Sequence, residues 1–375
     1  MGVLARSLRL RDYRSFERFS LDLDPGTTVL SGRNAVGKTN LIEALQLLTF
    51  GQSFRKASPS ELIRDGAERA VLDLNLSGGG RDIDLGLVAT AGKRAFSRNG
   101  KPCRASSIRG VMPSVLFCPD HLDMVKRSAG VRRGALDDFG TQLSARYAQL
   151  VGSYGRIVEQ RNALLRDVAL SDGLLDAWDD ALIETGCALI AHRISLLARL
   201  RAAMRRIHAS IAPGEQMDVG YRASICPTED LLTERADRAT LERRYRGALA
   251  AARPDEIRRC VSLMGPHRDE IAFTVAGRDA RSFASQGQQR TLVLSWKIAE
   301  VDVACEILGA PPLLLLDDVM SELDEPRRSA VMEFVEEGIQ TVISTTNLGY
   351  FSSSMLRRAK VVTIGNEREK RGEGI

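Results

Sequence analysis

The sequence predicts an α/β fold in which a mixed sheet and an antiparallel β subdomain are interrupted by an inserted helical domain. Residues 27–30 form a short apolar strand pattern that runs directly into a glycine-rich loop and a helical stretch. Residues 71–76 and 82–87 alternate apolar with polar side chains, which is typical of half-buried antiparallel strands. Residues 313–316 and 341–344 are apolar strand candidates separated by a helical stretch, the order expected of a parallel sheet.

Changes in sequence pattern predict the domain boundaries. Asn99-Gly100 is a strong signal for a tight hairpin, which makes the region around it an antiparallel meander. From residue 126 to residue 260 the pattern is helical with few strand signals, and strand character returns at residues 271–275. Later helices are predicted over residues 289–307 and 326–337, and a frayed tail over residues 367–375. We therefore predict an α/β domain made of residues 1–125 and 261–375, with residues 126–260 as an inserted helical lid or arm.

The composition indicates a soluble globular protein without a membrane partner. Hydrophobic residues make up 44% of the chain and charged residues 27%, which are ordinary values. The net charge of +5 points only weakly to a polyanionic partner. Six cysteines without a CxxC pair argue against a zinc site and a disulfide framework. No apolar run reaches about 18 residues and the N-terminus lacks a signal core, so a cytoplasmic, nucleoid-associated protein is expected.

Residues 185–214 are predicted to form a long basic helix of the arm. Apolar side chains recur there every three or four residues, and the segment contains no acidic residue. Its arginines form either a DNA-binding face or the solvated side of a packing helix. These candidate DNA-binding residues are Arg193, Arg199, Arg201, Arg205 and Arg206.

Residues 32–39 match the phosphate-binding pattern GxxxxGK[ST] in full, between a strand and a helix. In this pattern the glycines let backbone amides face the phosphates, Lys38 reaches the β and γ oxygens, and the Thr39 hydroxyl coordinates Mg²⁺. An ordinary glycine turn is the alternative, but the flanking elements favour ATP binding. The predicted contacts are Gly32, Arg33, Asn34, Ala35, Val36, Gly37, Lys38 and Thr39. The adenine contacts stay open: a nucleotide could stack at Arg11, Tyr13 and Arg14, and Tyr13 could equally serve as strand packing.

Two carboxylates follow the apolar strand at residues 313–316. The carboxyl ends of parallel strands meet at one edge of a sheet, so Asp317 and Asp318 are expected beside the glycine loop. Asp317 is predicted to hold Mg²⁺, directly or through water, and Asp318 to polarise the attacking water. A core strand that ends in a solvated acidic turn is the alternative.

Residues 285–290 precede a predicted helix and resemble the signature loop of ABC-type ATPases, which contacts the γ-phosphate held by a second subunit. Ser285 and the Gly287 amide can form an anion site at a helix N-terminus, with Gln288 beside them. A polar helix cap explains the same residues equally well. Where many such ATPases carry a switch histidine this chain has Thr345, and Asp318 stands where they have glutamate. Both departures predict slow hydrolysis, with ATP acting mainly as a switch.

Four stretches together resemble the RecF family of bacterial recombination mediators, which is related to the SMC and ABC ATPases. They are residues 32–40, which add Asn40 to the phosphate loop, residues 117–139, residues 264–270, and residues 285–291 with 313–324. The resemblance implies an ABC-type ATPase head with an inserted helical lid. It also implies ATP-dependent homodimerisation on duplex DNA or single/double-strand junctions, and action with RecO and RecR to help RecA assemble at gaps.

Three related classes fit the sequence less well. An ABC transporter subunit lacks a long inserted arm, an SMC protein has a far longer coiled-coil insert, and a P-loop kinase lacks the signature loop. A nucleotide-gated DNA clamp or scaffold with incidental hydrolysis stays open, because the residues at 318 and 345 fit it almost as well. An ABC- or SMC-like ATPase of other function is the remaining alternative.

Overall fold

The computed structural model describes residues 2–167, 173–234, 237–335 and 338–365. It divides into two compact units, residues 1–122 with 297–375 and residues 123–296. The predicted fold class is confirmed: an α/β unit with an antiparallel β subdomain is interrupted by a mainly helical unit. The predicted tail at residues 367–375 and the end of the helix predicted over residues 326–337 lie outside the described residues.

Strands dominate the N-terminal part of the chain and helices dominate the middle part. The N-terminal part contains β1 (Leu4–Tyr13), β2 (Phe16–Asp22), β3 (Thr27–Ser31), α1 (Lys38–Phe50), β4 (Arg69–Gly78), β5 (Arg81–Thr90), β6 (Lys93–Arg98), β7 (Lys101–Cys103), β8 (Ser114–Phe117) and α2 (Pro119–Leu122). The middle part contains α3 (Ala129–Leu143), α4 (Ala145–Arg166), α5 (Leu174–Ile211), β9 (Met217–Arg222), α6 (Leu231–Glu234), α7 (Arg238–Arg259), β10 (Glu270–Val275), β11 (Arg278–Asp279) and α8 (Ala280–Phe283). The last part contains α9 (Gln286–Leu308), β12 (Leu313–Asp317), α10 (Glu325–Val335), β13 (Thr341–Thr345), α11 (Ser353–Arg358) and β14 (Lys360–Thr363).

The first unit contains an antiparallel six-stranded sheet in the order β2-β1-β4-β5-β6-β7. Leu72, Leu74 and Leu76 on β4 are buried, while the residues between them face outward, as the alternating sequence predicts. The predicted hairpin at residues 99–100 is confirmed, because both turn residues have positive φ, 51° at Asn99 and 73° at Gly100.

A parallel five-stranded sheet in the order β14-β3-β13-β12-β8 forms the second layer of this unit. Residues of β12 and β13 are buried throughout, which explains the continuous apolar run of residues 313–316 in β12. The carboxyl ends of β3, β12 and β13 therefore meet at one edge. Buried Gln340 joins the two sheets, since its amide bonds to both backbone groups of Ala5 at 2.8 Å.

The second unit packs long helices beside a three-stranded antiparallel sheet in the order β11-β10-β9. The helix predicted over residues 185–214 is confirmed as far as Ile211, as the C-terminal part of α5, which contacts α4 and α7. Its apolar stripe is largely buried. By length and composition α5 could cross a membrane, but half of its most apolar stretch is buried inside the protein, as in a soluble core helix.

The structure differs from the predicted arm in two respects. Strand β9 lies in the segment that the sequence pattern predicts to be helical, because its short alternating sequence pairs with β10, which is distant in the sequence. This pairing also places residues 261–296 with the helical unit, whereas the sequence pattern assigns them to the α/β domain. The second boundary falls inside α9, between Trp296 and Lys297.

Candidate nucleotide site

The glycine-rich loop connects β3 to α1 at the edge where the parallel strands end. Gly37 has φ +103°, and a Cβ atom there would lie 2.7 Å from the Phe16 ring. A Cβ atom at Gly32 would lie 2.5 Å from the Ile364 carbonyl oxygen. Ala35 is also left-handed, with φ 64°. The loop thus closes tightly only with glycine at these two positions, and its backbone leads into the N-terminus of α1.

Lys38 folds back across this loop. Its Nζ donates to the carbonyl oxygens of Gly32 and Arg33, both at 2.7 Å. Burial lowers the pKa of Lys38, and the nearby Asp318 and Asp317 oppose that shift. The ammonium is therefore fixed at the loop between backbone oxygens and two carboxylates, where phosphate oxygens could replace the carbonyl groups as acceptors.

Asp317 and Asp318 lie at the end of β12 beside β13. Asp317 is opposite Ser344 in the strand register. The Ser344 hydroxyl donates to Asp317 Oδ1 at 2.7 Å and accepts from the Asp318 amide at 3.0 Å. Burial raises the pKa of Asp317, although hydrogen bonds from Ser344 and Thr39 lower it. Burial also raises the pKa of Asp318, and Lys38 counteracts that shift.

The donor set fits a magnesium ion. Asp318 Oδ1 is buried and accepts no hydrogen bond from the described part of the chain. Asp317 is 5% exposed and lies within reach of the Thr39 hydroxyl. In the described ranges no three His, Cys, Asp or Glu side chains form a metal cage by themselves. Mg²⁺ commonly binds through one or two carboxylates together with substrate phosphates and water, which is the combination possible here.

A cavity of about 320 Å³ brings the predicted loop residues and one of the two carboxylates together. It also contains Arg55, which the sequence reasoning missed because no motif marks it. Arg55 Nη1 donates to Asn40 Oδ1 at 3.0 Å and lies 3.9 Å from Glu43 Oε2. The lining residues are Asn34, Ala35, Gly37, Lys38, Thr39, Asn40, Arg55 and Asp318. Gly32, Arg33 and Val36 belong to the same loop but do not line the cavity.

Two residues that could have stacked on a base are part of the packing beneath the loop. Tyr13 is fully buried, and its hydroxyl donates to Glu43 Oε2 at 2.9 Å. Arg14 donates to both carboxylate oxygens of the same glutamate, at 3.0 and 2.8 Å. The structure thus favours the packing interpretation for Tyr13, and Glu43 fixes the end of β1 to α1.

Thr345 does not line the phosphate cavity. It is fully buried at the end of β13, where its hydroxyl donates to the Asn347 carbonyl at 3.1 Å and accepts from the Asn347 amide at 3.2 Å. These bonds hold the turn after the strand. The side chain would have to break them before it could bind a γ-phosphate.

The signature-like residues lie in the other unit. The Ser285 amide donates to Gln288 Oε1 at 2.8 Å, and the Gln288 amide donates to Ser285 Oγ at 3.2 Å. This reciprocal pair is a capping box at the start of α9, so the helix-cap interpretation describes one chain well. Gly287 lies in the first turn of the same helix. Ser285, Gly287 and Gln288 belong to residues 123–296, whereas the glycine loop belongs to the α/β unit.

The arm arginines differ strongly in their surroundings. Arg193 is 3% exposed and donates to both carboxylate oxygens of Asp137, at 2.9 and 2.7 Å. Its guanidinium lies inside the unit, so the prediction that it belongs to an exposed DNA-binding face is corrected. Arg201 and Arg205 both bond to Asp218. Arg199 and Arg206 are exposed on the same helix.

Comparison with known proteins shows the family. The profile of the RecF/RecN/SMC N terminal domain family matches residues 4–370. The DNA replication and repair protein RecF of Gloeobacter violaceus is 38% identical over 373 residues, covering 98% of both chains. The protein of the same name from Symbiobacterium thermophilum is 38% identical over 345 residues, covering 91% of both chains. The chain belongs to the RecF family.

Solved structures agree with this membership. A RecF–ATP structure from the RecFOR pathway has a TM-score of 0.86 and 26% identity, covering 94% of both chains. A RecF–ATPrS structure from the same pathway has a TM-score of 0.85 with the same identity and coverage. An Smc head domain derived from Pyrococcus furiosus has a TM-score of 0.56 at 14% identity, covering 97% of this chain and 94% of its own. The RecF fold is thus shared with SMC heads.

Proposed function

We propose that the chain is an ATP-dependent DNA-binding protein of recombinational repair and replication restart. ATP with Mg²⁺ binds at the glycine loop and drives two copies together on DNA, and slow hydrolysis releases them. In this role the protein acts with RecO and RecR to help RecA assemble at gaps. Such a protein works in the cytoplasm, associated with the nucleoid. The names of the RecF relatives and the ATP-bound RecF structures support this proposal.

The observation that carries the proposal is the convergence at one sheet edge. Lys38, the Thr39 hydroxyl, Asp317 and Asp318 meet there, beside a cavity of about 320 Å³ that Lys38, Thr39 and Asp318 line. This set suits the charges of a triphosphate and its metal ion. Mg²⁺ when bound would neutralise phosphate charge. Lys38 would hold the β and γ oxygens, Asp317 would orient the metal, and Asp318 would position the attacking water.

The geometry of the site favours slow ATP hydrolysis. Asp318 has a shorter side chain than the glutamate usual at this position, which places its carboxylate farther from an attacking water. Thr345 is occupied by hydrogen bonds to Asn347 and supplies no base. The same observations support the second candidate, a nucleotide-gated DNA clamp or scaffold whose hydrolysis is incidental. An ATP turnover rate that is the same with and without duplex DNA would favour the clamp.

The phosphate site is completed by the signature loop of a second copy in this proposal. Ser285 and the Gly287 amide would then contact the γ-phosphate bound by the partner. The Ser285–Gln288 capping box leaves Ser285 exposed at the start of a helix of 23 residues, where a bound anion is favoured. An arginine at position 285 would fill the space that the phosphate needs.

ATP-dependent dimerisation tests the proposal. Light scattering with ATP and Mg²⁺ should show a dimer for the native chain and a monomer for Lys38→Met and Ser285→Arg. Ser282→Arg is the matched control, because Ser282 is also an exposed serine, three positions earlier, where it donates to the capping residue Asp279, and this variant should dimerise normally. ATP turnover is counted with and without duplex DNA. Normal dimerisation of Ser285→Arg would contradict the composite site.

DNA binding by the arm is proposed for Arg199, Arg201, Arg205 and Arg206. Asp218 neutralises part of this face through Arg201 and Arg205, and Arg199, Arg205 and Arg206 are exposed on it. Their replacement by glutamine should weaken duplex binding about tenfold and reduce its salt dependence. An affinity that does not change with salt would rule out an electrostatic role for the arm.

A further inference from the structure

One end of the six-stranded sheet carries a group of exposed cations on its outer face. Their side chains form no hydrogen bond or ion pair with any residue in the described ranges. They lie on four strands, β1, β2, β4 and β6, and none belongs to the nucleotide site. We call this group the basic face; its members are Arg9, Arg11, Arg18, Arg69 and Lys93.

The strand register places these side chains on one surface. Arg11 is opposite Arg18 on one side and opposite Val71 on the other. Arg69 lies two positions before Val71 and therefore points to the same side of the sheet. Arg69 is opposite Thr90 on β5, and Thr90 is opposite Lys93 on β6, so Lys93 points to that side as well. The residues between them, such as Leu72, point to the buried side. The five basic side chains thus share one side of the sheet.

Arg11 and Arg18 form a like-charge pair directly opposite each other. Such pairs destabilise an antiparallel sheet, and natural strands usually place opposite charges or apolar side chains there. Asp73 lies opposite Arg9; burial raises its pKa, and the charges of Arg11 and Arg9 oppose that shift. Among the residues that the structure describes, no acidic side chain forms an ion pair with Arg11 or Arg18, so a bound anion would relieve the repulsion between them.

The charges on the outer face are separated along the strands. Asp22 and Asp84 lie at the opposite end, in the row that contains Ser7 and Asn75, and Asn75 Nδ2 donates to Asp84 at 2.9 Å. The row between the basic residues consists of the small side chains of Val71, Val88 and Ala95. An open concavity of about 760 Å³ lies over the arginines of β1 and β2. The surface is therefore accessible, shallow and positive at one end.

We propose that the basic face binds the phosphate backbone of duplex DNA, as a surface additional to the arm helix. The proposal rests on the proposed function in so far as the chain binds DNA. Arginine and lysine side chains without fixed partners suit a phosphate backbone, which requires positive charge but no fixed pocket. The small side chains of the row Val71, Val88 and Ala95 and the open concavity over the arginines leave room for a wide, rigid polyanion. An acidic segment of a partner protein is the occupant that the test must distinguish.

Neutralising variants test the proposal in the full-length chain. Arg11→Gln/Arg18→Gln removes the like-charge pair, and Arg69→Gln/Lys93→Gln removes two cations from other strands. Arg81→Gln/Arg98→Gln is the matched control, because it removes the same charge from exposed arginines whose alternation places them on the other side of this sheet. Duplex affinity is measured by fluorescence anisotropy between about 50 and 200 mM salt. ATP binding and melting temperature are measured on the same samples.

The two test variants should each lose about tenfold in affinity, and their salt slope should fall by about two, since each lost phosphate contact lowers the slope by about one. Arg11→Gln/Arg18→Gln should melt no lower than the native chain, because repulsion is relieved. If the two test variants have the same salt slope as the control variant, the basic face does not bind DNA, although DNA binding elsewhere and the proposed function still stand. If the two test variants keep the salt slope of the native chain but no longer bind a poly-glutamate peptide, the basic face binds an acidic segment of a partner protein instead. If the native chain binds no duplex DNA, both the basic face as a DNA-binding surface and the proposed function are rejected.

Discussion

The Ser344 hydroxyl links the two carboxylates of the candidate magnesium site. It donates to Asp317 Oδ1 at 2.7 Å and accepts from the Asp318 amide at 3.0 Å. Both contacts are set by the parallel register of β12 and β13 rather than by the loop residues themselves. A side chain on a neighbouring strand thus fixes the orientation of the metal-binding carboxylate.

Replacement of Ser344 by alanine should weaken metal binding without removing a ligand. The Asp317 carboxylate loses a hydrogen bond that orients it and favours its charged form, so the Mg²⁺ concentration for half-maximal ATP turnover should rise about tenfold. Ser114→Ala is the control, because its buried hydroxyl lies on another strand of the same sheet and bonds to the Thr49 hydroxyl at 2.8 Å. Equal magnesium requirements in the two variants would contradict the orienting role.

The raised pKa of Asp317 predicts a conflict between stability and metal binding. A carboxyl whose pKa is higher in the folded chain holds its proton more tightly there. Its stabilising contribution is therefore complete below the unfolded pKa and is lost as the pH rises through the folded pKa. At pH 7 without Mg²⁺ the charged carboxylate is buried at a cost, and Asp317→Asn should raise the free energy of unfolding by about 1 kcal/mol.

Urea denaturation at several pH values checks this prediction for Asp317. The difference in free energy of unfolding between Asp317→Asn and the native chain should shrink as the pH falls, because the native carboxyl then becomes neutral as well. The exposed Asp65→Asn should show no such trend. The same Asp317 variant should lose magnesium-dependent ATP turnover. A variant less stable than the native chain at neutral pH would show that the buried carboxylate is not penalised.

The sequence predicted those parts of the fold and site that local patterns determine. The glycine loop, the strand before Asp317, the hairpin at residues 99–100 and the long helix α5 all appear as expected. Each depends on residues within one element or one turn, where spacing and side-chain type carry the signal.

The missed features depend on contacts between distant parts of the chain. Arg55 lies in the phosphate cavity because the turn after α1 returns toward the loop, and no nearby residue signals that. Strand β9 was missed because its partner, β10, is about 50 residues away in the sequence. Arg193 resembled its exposed neighbours in charge and spacing. Its burial follows from Asp137 on another helix.

Glycine at position 37 should be essential for two separable reasons. Its φ of +103° disfavours any L side chain, and a Cβ atom would lie 2.7 Å from the Phe16 ring. Gly66 shares the first problem, with φ +80°, but has no atom within 4 Å of its Cβ position. Gly66→Ala should cost about 1 kcal/mol of stability, whereas Gly37→Ala should cost more and also abolish ATP binding. Thermal denaturation and a fluorescent nucleotide distinguish the two, and equal effects would contradict the steric argument.

A buried ion pair holds the helical unit together. Arg161 and Glu256 are both fully buried and bond at 2.6 Å, and Glu256 also accepts from the Leu263 amide at 2.6 Å. Arg161 reaches Asp179 at 2.7 Å as well, so one guanidinium connects α4, α5 and α7. Because both charges have lost their hydration, each depends on the other.

Removal of Glu256 should therefore destabilise the unit far more than removal of a neighbouring surface acid. Glu256→Gln leaves the Arg161 charge buried beside only one carboxylate, which should cost about 3 kcal/mol. Asp255→Asn breaks an exposed pair with Arg258 one position earlier and should cost less than about 0.5 kcal/mol. Urea denaturation followed by circular dichroism measures both. Similar losses in the free energy of unfolding for the two variants would mean that the buried Arg161–Glu256 pair contributes no more to stability than an exposed pair.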